Sequence, residues 1–116
     1  MTAGARTPEE LDTLLEDAFV LRDRTMFDAL FDDGAVLMEA GGLEARGGKA
    51  IGRALAERWA RDCNYVARPR CVLRARGTAL VVADAGIHVL HRSGAGVWRA
   101  SISLLDLDTS TRPEDA

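Results

Sequence analysis

Three side chains of this 116-residue chain have the types and spacing to move protons together: Glu39, Asp84 and His88. Glu39 ends the apolar run Ala35-Val36-Leu37-Met38, where a carboxylate is costly to bury unless it is paired or used. A carboxylate held among apolar neighbours is suited to general acid-base work, which is the chemistry Glu39 could carry. Asp84 and His88 are four residues apart and share a face if one unbroken strand carries both. Inside an apolar hollow they would orient a small organic molecule. Each has an ordinary reading as well. Glu39 can sit at a solvated strand end or pair with Arg46 across a turn, and His88 can be a satisfied core histidine.

Leu15, Phe19, Trp59, Tyr65 and Trp98 are the candidate walls of such a hollow, although aromatics spaced like Trp59 and Trp98 are more often core. Arg68, Arg70, Arg74 and Arg76 alternate along one strand face, the pattern of a solvated rim or of an anion contact. The glycines between Gly41 and Lys49 do not make a phosphate loop, because Leu43 stands where its first glycine is needed and Ala50 replaces the Ser/Thr. Cys63 and Cys71 form no Cys/His cluster with metal spacing and read as reduced thiols. No metal or organic cofactor is expected.

The elements that would position these groups are readable. Thr7-Pro8-Glu9-Glu10 is a capping box with Pro at the first helical position. Leu11, Leu14, Leu15, Ala18 and Phe19 then give an apolar helical stripe ending near Arg24. Thr25 is the expected cap of a short second helix with Met26, Phe27, Leu30 and Phe31. A strand over 35–39, a turn at Gly41-Gly42, a returning strand over 43–46 and a helix opened by Gly47-Gly48 follow. That helix puts Ile51, Leu55 and Trp59 on one face. Three long strands are then predicted, over 65–76, 79–91 and 97–107, joined as hairpins. Helices followed by an antiparallel meander make this an α+β chain.

Counting outward from the two tight turns assigns the faces. Leu73, Leu80, Val82, Asp84, His88, Leu90, Trp98, Ala100, Ile102 and Leu104 fall on the helix-covered face, and Leu14, Phe19, Ile51, Leu55, Leu73, Leu80 and Ile102 are expected in one core. Val81, Ala83, Ile87 and Val89 fall on the outer face, where an apolar patch predicts a homodimer contact.

Phe31-Asp32-Asp33-Gly34-Ala35-Val36-Leu37-Met38-Glu39, Arg46-Gly47-Gly48-Lys49-Ala50-Ile51 and Gly96-Val97-Trp98-Arg99 together resemble the nuclear transport factor 2-like superfamily, which includes the ketosteroid isomerases and the SnoaL-like polyketide cyclases. The resemblance covers nearly the whole chain. It implies a cone-shaped, curved antiparallel sheet covered by three helices, a small-molecule ligand and acid-base turnover of the isomerase or cyclase type. In the isomerases a catalytic aspartate lies in Ala-Thr-Val-Glu-Asp, and Ala35-Val36-Leu37-Met38-Glu39 places Glu39 at that position. The same ungapped count places Leu15 at the oxyanion tyrosine, so a steroid isomerase reading fails. The alternative is a non-catalytic ligand-binding or dimerisation module.

One domain is expected over 1–116, with 1–6 and 108–116 flexible. A net charge of -3 argues against nucleic-acid and anionic-membrane partners. The uncharged runs are far too short to span a bilayer, and the N-terminus lacks a secretory apolar segment, so a cytoplasmic location is expected.

Overall fold

The computed structural model describes residues 4–39, 41–42, 44–61 and 63–106. Helix α1 (Pro8–Leu21) starts where the capping box puts it: the Thr7 hydroxyl accepts from the Glu10 backbone N–H at 3.2 Å. The Glu10 carboxylate reaches back to the Arg6 N–H at 2.6 Å. The helix stops at Arg22, which takes a left-handed conformation with φ 53°. Helix α2 (Arg24–Leu30) follows at once. Its cap is Asp23 and not Thr25: the Asp23 carboxylate accepts from both the Thr25 N–H (3.0 Å) and the Thr25 hydroxyl (2.6 Å).

Strand β1 (Phe31–Glu39) turns through Gly42, at φ 95°, into β2 (Glu44–Arg46). Gly47, at φ 88°, hands the chain to α3 (Gly48–Ala60). Four strands follow in place of the predicted three: β3 (Pro69–Ala75), β4 (Thr78–Ala83), β5 (Gly86–Arg92) and β6 (Trp98–Leu105). They form one curved, unclosed sheet in the order β2-β1-β6-β5-β4-β3, antiparallel except where β1 lies parallel to β6. Helix α1 packs over β3, β4 and β6, while α3 packs over β1 and β2. Leu11, Leu15, Phe19, Phe27, Ile51 and Leu55 are sealed against the concave face. Of the two ends expected to be flexible, residues 1–3 and 108–116 lie outside the described residues, as does residue 107. Ala5, by contrast, is held: its carbonyl accepts from the Trp98 N–H at 2.8 Å, and the residue is fully buried.

The extra strand corrects the predicted faces. The run expected as one strand breaks at Asp84-Ala85, and Val82 then pairs with Ile87 and Val81 with His88. This hairpin reverses the parity of β3 and β4 relative to β5. Val81 and Ala83 point into the core, while Leu73, Leu80 and Val82 point outward. An irregularity in the β5–β6 pairing, where Val89 faces Ile102 but Leu90 faces Ala100, leaves Ser101 over and flips the rest of β6. Ile102 and Leu104 therefore face out, and Ser103 and Leu105 face in. Leu73 is 58% exposed and Ile102 54%, so neither belongs to the core in which they were expected.

Candidate functional site

The two polar centres of the fold are built separately. Glu39, the last residue of β1, is buried, and α3 brings Arg58 across it from its last turn. The guanidinium grips both carboxylate oxygens, with Nε donating to Oε2 at 3.1 Å and Nη2 donating to Oε1. This bidentate grip is the first cause, and the opposite charge a further one, that raises Arg58 above the ordinary arginine range. Arg46, the partner expected across the turn, instead pairs with Glu44 at 2.6 Å. Beside the Glu39–Arg58 pair is a hollow of about 70 Å³ walled by Leu37, Ala45, Ala54 and Glu57.

The second centre lies under α1. Tyr65, on the irregular segment 63–68, donates its hydroxyl hydrogen to Asp12 Oδ1. Its oxygen is 3.1 Å from His88 Nε2, and His88 Nδ1 is 2.7 Å from the Ser103 hydroxyl. Asp12, Tyr65, His88 and Ser103 are all buried. The hydroxyl has a single hydrogen, and a carboxylate is the stronger acceptor, so the direction of the chain follows. His88 Nε2–H donates to Tyr65, and the Ser103 O–H donates to bare Nδ1. Burial pushes His88 down to about 4, which keeps it neutral at pH 7. Burial raises Asp12, while the Tyr65 hydrogen bond opposes the shift. Desolvation and Asp12 together push the Tyr65 hydroxyl far above its ordinary value.

The three proton-handling residues are therefore not brought into one hollow. Asp84 is exposed in the β4–β5 turn, paired with Arg70 at 3.0 Å, and no longer shares a strand with His88. A recess of about 420 Å³ at this end of the sheet has both Glu39 and Asp84 on its wall, along with Met38, Gly86, Ile87 and Leu104. His88 lies behind Gly86: a Cβ built on that glycine would sit 3.5 Å from His88 Nε2. The expected ligand walls are packed interior. Phe19 sits edge-on to Phe27 and Trp59, with ring centroids at 5.8 and 6.3 Å, and Trp59 stacks on Phe27 at 5.6 Å. Leu15 is fully buried, and Trp98 is buried beneath Arg92, whose guanidinium lies 5.9 Å from its ring. Arg74 pairs with Glu9 at 2.6 Å, so this part of the basic run is a salt-bridged rim.

Asp12, Arg58 and Ser103 were not among the candidates. Two of them carried a signal. Asp12 stands three residues before Leu15 and seven before Phe19, inside the apolar stripe, and Arg58 follows Leu55 by three. Ser103 is turned inward only by the irregularity in β6.

No family model and no curated protein matches the chain. Solved structures do. A ketosteroid isomerase-like protein from Erwinia carotovora atroseptica is 18% identical at a TM-score of 0.69, over 84% of this chain and 91% of that one. An uncharacterised protein with a cystatin-like fold from Caulobacter vibrioides is 18% identical at 0.69, over 90% and 92%. A nuclear transport factor 2-like protein with a cystatin-like fold from Novosphingobium aromaticivorans is 17% identical at 0.65, over 86% and 79%. With helices α1 and α2 leading into a six-stranded curved sheet and α3 packed over β1 and β2, this chain has the cystatin-like, nuclear transport factor 2-like fold.

Proposed function

We propose that this chain is a self-pairing module, two copies meeting through the outer sheet face, and that Glu39, Asp84 and His88 serve structure rather than turnover. One observation carries the reading. Two unbroken apolar rows cross five strands of the outer face. Val36, Ile102, Val89, Leu80 and Leu73 form one, and Met38, Leu104, Ile87, Val82 and Cys71 form the other. Ile102 is 54% exposed, Leu104 45%, and Met38 and Ile87 39% each. Strands about 4.8 Å apart make each row roughly 19 Å long. A contiguous apolar patch of that extent marks an interface on a soluble domain. A face built from one chain's own strands closes by two-fold symmetry, each copy offering the same surface. Of the four outer-face residues expected to make this contact, Ile87 and Val89 remain candidates. Val81 and Ala83 do not, since both are buried in the core.

Size-exclusion chromatography with light scattering tests the reading. The expected mass is about 25 kDa, twice the 12.5 kDa of the chain. A mass of one chain at tens of micromolar would end it.

The recess at the end of the sheet favours a second reading, the binding of a small, largely apolar molecule without chemistry. Its roughly 420 Å³ suits a compact ligand, and its floor of Met38, Ile87, Leu104 and Leu105 is apolar. Saturable fluorescence enhancement of N-phenyl-1-naphthylamine by the wild-type chain supports it, and a flat titration defeats it.

A further inference from the structure

The recess at the end of the sheet has a polar character that its apolar floor does not explain. Its volume of about 420 Å³ lies over Met38, Ile87, Leu104 and Leu105. Every polar side chain on its wall is a carboxylate: Glu39, Asp84 and Asp106. Carboxylates supply hydrogen-bond acceptors, and among the described residues no basic, amide or hydroxyl side chain lines the space to supply a donor. The three are not equivalent. Arg58 takes both oxygens of Glu39, which is buried. Asp84 and Asp106 are exposed, and Arg70 engages Asp84 through Oδ1. The Asp106 N–H donates to the Ala85 carbonyl at 2.9 Å, which ties the end of β6 to the β4–β5 turn and keeps both acidic residues on one stretch of the rim. A hollow lined by one sign of charge over a low-dielectric floor focuses that field and concentrates ligands of the opposite sign.

Resting on the second reading above, that the recess is a ligand site, we infer that it selects an organic amine. The apolar body of the ligand lies on Met38, Ile87, Leu104 and Leu105, and its ammonium sits at Asp84 and Asp106. An ammonium brings donors and positive charge to a rim that offers only side-chain acceptors. A carboxylate or phosphate of the same size finds no side-chain donor there and meets like charge. A wholly apolar molecule fills the floor and leaves the rim to water. Asp84 keeps its contact with Arg70 and both rim carboxylates are exposed, so the preference gained is that of a solvated ion pair.

Three probes on one ring system test it. At pH 7, 1-naphthylmethylamine carries a positive charge, 1-naphthylmethanol none and 1-naphthoate a negative one. Each is titrated into the full-length wild-type chain and followed by NMR at the methyl groups of Ile87, Leu104 and Leu105, which line the recess. The amine should bind at least about threefold more tightly than the alcohol, the gain of an exposed ion pair, and the naphthoate more weakly than the alcohol. Asp84→Asn combined with Asp106→Asn changes only exposed positions. In that variant the alcohol should bind as before, and the amine should bind no more than about 1.5-fold more tightly than the alcohol. Saturable alcohol binding without a preference for the amine would overturn the inference and leave the recess as a ligand site. A preference that survives the double substitution would put the ammonium elsewhere and overturn it too. No shift with any of the three probes would remove the ligand site itself, and the amine selectivity with it.

Discussion

Replacing Arg58 with leucine isolates the role of Glu39. The two side chains are only 18% and 8% exposed, so this pair is worth more than a surface ion pair. Leucine retains part of the arginine stem's packing, and what is lost is the bidentate grip on a buried carboxylate. Removing one partner of a buried pair costs about 3–5 kcal/mol. The residual exposure of Arg58 places the expectation near the lower end, about 3 kcal/mol, or roughly 12 °C in Tm for a domain of this size. The sign of the pH dependence follows from the same geometry. Without its guanidinium, Glu39 is a buried carboxylate stripped of its partner, and the cost falls on its charged form, which protonation removes. The deficit of Arg58→Leu relative to wild type should therefore be largest at pH 7 and shrink toward pH 4. Urea denaturation at both pH values is the assay. A loss below about 1 kcal/mol at pH 7, or the same loss at both, would refute the view that Glu39 is held structurally by Arg58.

Other changes follow from the packing. Leu55→Ala, at a fully buried site on α3, should cost about 2–5 kcal/mol in chemical denaturation. Gly86→Ala should cost about 1–3 kcal/mol by overpacking, since a Cβ there would lie 2.6 Å from Leu105 Cδ2 and 2.9 Å from the Leu104 carbonyl oxygen, and a thermal melt reads the loss. His88 is held neutral by burial, its value lowered from 6.5 to about 4, so its contribution is present above pH 6.5 and fades as pH falls toward 4. The stability gap between wild type and His88→Gln should narrow over that range by up to about 3 kcal/mol, and a constant gap would contradict the assignment.

What could be read from the sequence depended on whether the signal was local. The Thr7 cap, the glycine entry to α3 and the position of Glu39 at the end of a strand all depend on a few adjacent residues, and each appears in the fold. The strand faces depended on counting across turns, where one missed break inverts everything beyond it. Asp84 and Gly86 are ordinary turn residues, but the apolar alternation from Val81 to Val89 runs through them and conceals the hairpin. The irregularity at Ser101 has no side-chain signature. The candidate site suffered for the same reason. Glu39 was legible as a strand end, but its partner Arg58 lay on a helix whose facing residues only the tertiary packing selects. Asp12 stood in plain view within the stripe of α1, yet only the path of segment 63–68 shows that Tyr65 meets it.

The central claim is that the outer face is covered by a second copy. Sedimentation equilibrium of the wild type beside Ile102→Asp tests it most directly, because Ile102 stands on β6, between β1 and β5, in one of the two apolar rows. Its side chain already faces out, so the change leaves the core intact while placing two unpaired carboxylates in the shared face. The account predicts a wild-type mass of about 25 kDa, twice 12.5 kDa, and a variant that sediments as a folded single chain. A wild type that sediments as one chain at tens of micromolar, or a variant that pairs as tightly as the wild type, would contradict it.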